Sequence, residues 1–302
     1  MKRAIHPTAV VADDVELGAG VEIGPYSVIG AGTRVGDGTR IGAQVLIDGR
    51  VRIGAENVLG PKVNIVGHTT LGDRNVVHGL ASLGDEPQDL SYRGEPTELV
   101  IGSRNTIREF VTINRGTVKG GGVTRVGDDC LLMACCHVAH DCDVRDRVIL
   151  ANGALLAGHC LVEERANVSG ATASHHFVTI GAFCYVGGMT RMIHDIPPFM
   201  IVEGHPSRVR GVNVIGLQRA GFDKDAVDAL REAHRRLYRG DEPRQHVVEE
   251  LDRADGLHPR VRQLVDALIA TAKGSKGRFR ETQKERFQAE GRARILGEGS
   301  AR

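Results

Sequence analysis

Tryptophan is absent from these 302 residues, and aromatic residues make up only 4% of them. Any core must therefore be aliphatic. No apolar run reaches membrane-spanning length, and Met1-Lys2-Arg3 leads straight to Ile5 without the apolar stretch of a signal peptide. The expectation is a cytoplasmic protein with no membrane span. An excess of one charge is also missing, with Lys+Arg at 39 against Asp+Glu at 38. That balance gives no electrostatic argument for nucleic acid or for a membrane surface. The six cysteines include no Cys-x-x-Cys pair, which removes the commonest spacing for a zinc or redox site.

What the chain has instead is a beat of six. From Ile5 every sixth residue is aliphatic: Val11, Leu17, Ile23, Ile29, Val35, Ile41, Ile47, Ile53, Leu59, Ile65, Leu71, Val77 and Leu83. A short fixed period marks one unit stacked on copies of itself. Six does not match the helical 3.6; it fits a strand and a turn, three of which make one coil of a parallel β-helix. The 39 glycines suit a fold with a tight corner every few residues. Cys130, Cys136, Cys142, Cys160 and Cys184 differ by multiples of six and sit two residues before the aliphatic column. By strand alternation they face the same interior, as stacked buried thiols rather than metal ligands.

Two Gly- and charge-containing excursions, at 85–99 and 114–125, interrupt the beat, which returns at Ile101 and again at Val126. Both are read as loops projecting from the coil, where binding groups tend to sit. The repeat domain is set at 1–210 and a small helical domain at 211–275. In that domain Asp223 caps a helix bearing Val227, Leu230 and Leu237 and stopped by Gly240. A second carries Val247, Val248 and Leu251, and a third opens at Pro259 with Val261, Leu264, Val265, Leu268 and Ile269 on one face. Residues 276–302, charged and poor in apolar anchors, are expected to form a frayed helix or a disordered tail.

The register also locates a candidate site. Three hexads make a coil of eighteen residues, so positions 18 apart stack about one strand spacing, ~4.8 Å, apart. Gly158 then lies over His140, His176 over Gly158, and His159 over Asp141, with His137 and His175 nearby. Five of the 13 histidines fall within forty residues. A lone histidine is usually a surface or corner residue, but a stack of them points to chemistry. An imidazole, with an unperturbed pKa near ~6.5, can take a proton from a hydroxyl. A glycine N–H can approach an oxyanion closely. A base and an oxyanion donor without a serine or cysteine nucleophile suggest direct acyl transfer to a bound alcohol or amine. Within a strand His140 and Asp141 would point oppositely; only a corner would make them a dyad.

Several segments resemble a known family: Gln88-Asp89-Leu90, Gly94-Glu95-Pro96-Thr97, Arg115-Gly116-Thr117-Val118, Gly120-Gly121-Gly122 and His137-Val138-Ala139-His140-Asp141-Cys142. So do Leu156-Ala157-Gly158-His159, Asp195-Ile196-Pro197-Pro198 and Gly211-Val212-Asn213. They are similar, in order and over about residues 5–273, to bacterial UDP-N-acetylglucosamine O-acyltransferases, which start lipid A synthesis. The resemblance implies a left-handed parallel β-helix, a homotrimer with sites between subunits, and no metal or organic cofactor. It implies transfer of a (3-hydroxy)acyl chain from acyl carrier protein to the sugar 3-OH. By matching, His140 is the base and Gly158 the oxyanion donor, with Asp141 beside them. Asp89, His137, His159, His175, His176, Asn213 and Arg219 line the nucleotide-sugar site, and Gly188 leaves room for a long acyl chain.

The sequence departs from that pattern at Ser91, where a lysine is expected, and at His176, Ile215 and Ala220. One coil around 54–83 looks additional, as does the tail beyond about 280, whose Lys284, Arg286, Arg292 and Arg294 are read as solvated or as attracting an acidic carrier protein. The departures keep open a second reading, N-acylation of a 3-amino sugar nucleotide. A third is a zinc protein of the γ-carbonic anhydrase kind, using the histidines as ligands.

Overall fold

The computed structural model describes residues 4–299, with side chains through 297. Residues 4–203 wind into a β-solenoid of about 11 turns. Its three faces belong to a first sheet of 12 strands, the last of them Arg208–Val212 beyond the solenoid, a second of 10 and a third of 9. The solenoid strands pair parallel at 18-residue steps, as at Ile5 with Ile23 and His137 with Leu155. Both excursions preserve the stacking and only lengthen the step: Val76 pairs with Thr106, and Thr106 with Leu131. The register runs without a break through 54–83.

Each aliphatic residue of the beat from Ile23 onward is buried, and so are Cys130, Cys136, Cys142, Cys160 and Cys184. Burial of each Val, Leu or Ile contributes about 1.5–3 kcal/mol, which offsets the left-handed residue repeated at the corners. Where the beat misses, at Ser174, the hydroxyl accepts from the Ala157 N–H at 3.0 Å and replaces the lost ladder partner. A polar ladder fills another interior column. Asn57 Oδ1 accepts from the Asn75 N–H at 2.8 Å, Asn75 Oδ1 from the Asn105 N–H at 2.9 Å, and Asn105 Oδ1 from the Cys130 N–H at 2.7 Å.

After Met200–Glu203 the chain reverses into the antiparallel strand Arg208–Val212, which closes the first sheet. Five helices follow: α1 Val214–Arg219, α2 Lys224–Arg239, α3 Arg244–Arg253, α4 Pro259–Lys273 and α5 Lys284–Gly299. The Asp223 side chain caps α2 by accepting from the Ala226 N–H, as its position predicts. The short α1 and the closing strand were not anticipated. The tail differs from its expectation: it is a docked turn and 3-10 segment, Phe279–Gln283, running into α5, not a frayed or disordered segment. Buried Arg278 and Phe287 anchor it, and Arg294 bonds the Gly121 carbonyl instead of water. Residues 300–302 lie outside the described part. Among the described residues no helix is long and apolar enough to cross a membrane.

Candidate active site

Both excursions leave the solenoid at one corner, between the second and third faces, on the two coils that precede His140. The first runs between strands Ser82–Asp85 and Glu98–Ile101, the second between Thr112–Asn114 and Val123–Val126. Arg115 joins them. It donates to the Gly84 carbonyl at 2.8 Å and to the Tyr92 hydroxyl at 2.9 Å, with its guanidinium over the Tyr92 ring. Lys119 Nζ reaches Ser91 Oγ at 2.7 Å, so a cation from the second loop stands beside the position where a lysine was expected. Asp89 accepts from the N–H and the hydroxyl of Ser91, both at 2.8 Å. The backbone bond from Ser91, with help from its hydroxyl, Lys119 and His140, holds the Asp89 carboxyl below the usual range.

At the next coil the corner brings two adjacent side chains together. Asp141 adopts φ +61°, which turns its carboxylate back toward His140. His140 Nδ1 and Asp141 Oδ2 are 2.7 Å apart, and both side chains are buried. Thr117 holds the carboxylate from the loop side, giving its N–H to Oδ1 at 2.7 Å and its hydroxyl to Oδ2 at 2.6 Å. The Asp141 N–H donates to Thr124 Oγ1 at 2.8 Å. The carboxylate is thus fully solvated by protein, and its second oxygen faces the imidazole.

One coil on, Gly158 sits against the ring of His140. A Cβ built there would lie 2.6 Å from Cε1 and 2.8 Å from Nε2. At some coils the corner N–H in this slot is given to a side chain of the next coil: Ala19 to Asp37, Ala55 to Asp73, Asp128 to Asp146. The residue stacked over Gly158 is His176, and among the described residues no side chain or carbonyl accepts the Gly158 N–H. An orphaned N–H on a buried residue is rare. Here it belongs to a glycine packed on a histidine ring, and a developing oxyanion could satisfy it.

The remaining histidines complete the wall. His159 stacks face to face on Phe177 at 4.3 Å and meets His140 edge-on at 5.0 Å. Burial pushes its pKa down to about 4, against the opposing pull of Asp141. Burial also lowers the pKa values of His137 and His176. His137 Nδ1 bonds Thr112 Oγ1 at 2.8 Å, and His175 Nδ1 the His176 carbonyl at 3.1 Å. Ligand atoms of His140, Asp141 and His159 fall within 4.8 Å of one another, close enough to hold an ion. The Asp141 oxygens already accept from Thr117, and His140 Nδ1 addresses Asp141 itself, so these donors face each other rather than a common centre.

Asp89, His137, His140, Asp141, Gly158, His159, His175 and His176 therefore share one corner. Asn213, Arg219 and Gly188 do not. Asn213 caps α1 and donates to the Phe183 carbonyl at 2.8 Å, on the corner between third and first faces. Arg219 is exposed on the last turn of that helix. Gly188 belongs to the corner between first and second faces, over the Gly170 carbonyl. Of the departures, Ile215 is exposed on α1 and Ala220 ends that helix. Sequence reasoning missed Thr117, Thr124, Lys119 and Arg280; only the shared corner of the excursions and His140 hinted at the first three.

A hexapeptide β-helix with a histidine–carboxylate pair beneath a free amide is the arrangement of a hexapeptide-repeat transferase. The matching family models agree: residues 14–49 match the bacterial transferase hexapeptide (six repeats), and 195–276 match domain 2 of UDP N-acetylglucosamine O-acyltransferase. A Paraburkholderia phymatum protein named acyl-[acyl-carrier-protein]--UDP-N-acetylglucosamine O-acyltransferase is 46% identical over 275 residues, covering 89% of this chain and 98% of its own. A Synechocystis protein of that name is 52% identical over 176 residues, 58% of this chain and 63% of its own. The Arabidopsis UDP-N-acetylglucosamine acyltransferase structure superposes with a TM-score of 0.85 at 35% identity, over 90% of this chain and 98% of its own. The chain belongs to the acyl-[acyl-carrier-protein]--UDP-N-acetylglucosamine O-acyltransferase family.

Proposed function

We propose that this protein transfers a (3-hydroxy)acyl chain from acyl carrier protein to the 3-OH of UDP-N-acetylglucosamine, the first step of lipid A synthesis. The observation that carries the reading is Gly158, its N–H unpartnered and its bare Cα packed against the ring of His140. His140 Nε2 removes the proton of the sugar hydroxyl while Nδ1–H is held by Asp141, which fixes the tautomer and stabilises the imidazolium that forms. The sugar oxygen attacks the thioester carbonyl, and the carbonyl oxygen takes the negative charge beside the Gly158 N–H. Collapse of the tetrahedral species expels the carrier thiolate, which recovers the proton from His140. Asp89, His137, His159, His175 and His176 line the sugar site in this reading. Burial holds His159 down to about 4 and lowers the pKa of His137, which disfavours their cationic forms beside His140.

The same reading makes the enzyme a homotrimer. Asn213 and Arg219, and separately Gly188, stand on corners other than that of His140. Only another copy of the chain can face one corner with the next. The second face also exposes Val10, Val28, Leu46 and Leu155 along its length, an apolar stripe fit for burial. The test is product analysis by mass spectrometry with UDP-N-acetylglucosamine and a panel of acyl carrier protein thioesters. An O-acylated sugar nucleotide is expected; acylation of only a 3-amino analogue would contradict the acceptor.

A further inference from the structure

We propose that helix α5 is a strap that presses the Val118–Gly120 turn onto Asp141, so that Gly291 and Arg294 act as positioning residues for His140. This rests on His140 being the base.

The chain of contacts is continuous. The tail is moored at one end by the Asp195 N–H donating to the Gly277 carbonyl at 2.8 Å and the Phe279 N–H to Asp195 Oδ2 at 2.9 Å. Buried Arg278 adds a bond to the Ile193 carbonyl at 2.9 Å. From there it crosses the histidine corner. Arg280 Nε donates to the His159 carbonyl at 2.9 Å with its guanidinium over Phe287, and Lys284 lies over the Phe177 ring. Its far end meets the loop: Arg294 Nε bonds the Gly121 carbonyl at 3.2 Å, and Nη1 pairs with Glu98 at 3.3 Å.

Two glycines make this stack tight. A Cβ at Gly291 would overlap the Val118 carbonyl, so the helix backbone rests directly on the turn. A Cβ at Gly120 would overlap the Asp141 carboxylate, so the turn rests directly on the corner. Thr117, just before the turn, supplies two donors to that carboxylate. The turn itself ends in Gly120-Gly121-Gly122, the last two at φ +102° and +82°. Such a segment loses much conformational freedom on ordering and holds poorly by itself. An external clamp is what keeps Thr117 and Gly120 on Asp141.

The test uses the full-length protein with Gly291→Leu and, should that variant not fold, Arg294→Ala. Each is expected to speed amide hydrogen exchange across Thr117–Gly122 without substrate. Each should lower kcat about tenfold while KM for both substrates stays within about twofold. In an Asp141→Asn background the same change should cost less than about twofold more, because the relay is already cut. Unchanged exchange at Thr117–Gly122 overturns the strap whether or not the enzyme turns over the proposed substrates. So does an equal loss of kcat in the Asp141→Asn background, or a gain of activity, which would make α5 an inhibitory cover. Turnover by wild type, and its loss in His140→Ala, report separately on the underlying reading.

Discussion

His140 and Asp141 are consecutive in the chain, yet Nδ1 of one lies 2.7 Å from Oδ2 of the other. A strand would have splayed them; the left-handed corner at Asp141 folds one back on the other. Asp141→Asn keeps the shape but places an amide where two donors converge. With the amide nitrogen at the Oδ2 position, it would face the Thr117 hydroxyl and the His140 N–H together. We expect kcat to fall about 10²–10⁴-fold with the thermal midpoint little changed. Steady-state kinetics alongside a melting curve checks both halves.

Gly158→Ala is expected to abolish most activity through geometry alone. Its methyl group would sit 2.6–3.1 Å from three atoms of the His140 ring, so the imidazole must leave its place. A loss of at least about 10²-fold follows from displacing both base and oxyanion donor. The same substitution at Gly170, where the nearest atom is a single carbonyl at 3.1 Å, should leave kcat within about threefold.

His159 makes the fold acid-sensitive. Burial holds its pKa down to about 4, while an unfolded chain would bind the proton near ~6.5. Between these values the unfolded state carries more protons, so stability rises with pH and is lost as pH falls from about 6.5 to 4. The loss is on the order of 3 kcal/mol. His159→Gln should flatten this slope in urea titrations at pH 4.5 and 7; an unaltered slope would contradict the assignment.

The interior asparagine ladder should behave as a unit. Asn75 donates to Asn57 Oδ1 and the Gly102 carbonyl at 3.0 Å each, and accepts from the Asn105 N–H. Asn75→Ala leaves the Gly102 carbonyl and the Asn105 N–H buried without partners, while Asn57 Oδ1 keeps the backbone N–H of residue 75, and should cost about 2 kcal/mol or more. Denaturant midpoints at constant m-value measure it.

How much of this was legible in the sequence depends on periodicity. The beat of six fixes strands, interior columns and stacking, so His140 beneath Gly158 could be counted from residue numbers. Helices α2 to α4 were equally visible, because Asp223, Gly240 and Pro259 mark their ends and apolar stripes their faces. Helix α5 was not. Its seam is made by Phe287, Gly291 and Arg294, which form no apolar stripe. Thr117 was hidden for a related reason: it sits in a glycine-rich excursion whose path follows from the helix laid on it. The His140–Asp141 pair lay between these cases, since the count places the corner but not the backbone angle that closes it.

The central claim is that His140 removes a proton from a sugar-nucleotide hydroxyl while the Gly158 amide receives the negative charge. Single-turnover mixing of enzyme, acyl carrier protein thioester and UDP-N-acetylglucosamine, with wild type and His140→Ala compared by product mass, tests it most directly. The account predicts a 3-O-acyl sugar nucleotide from wild type and at least about a 10³-fold slower rate from the variant. A folded His140→Ala protein that forms product at the wild-type rate would contradict it.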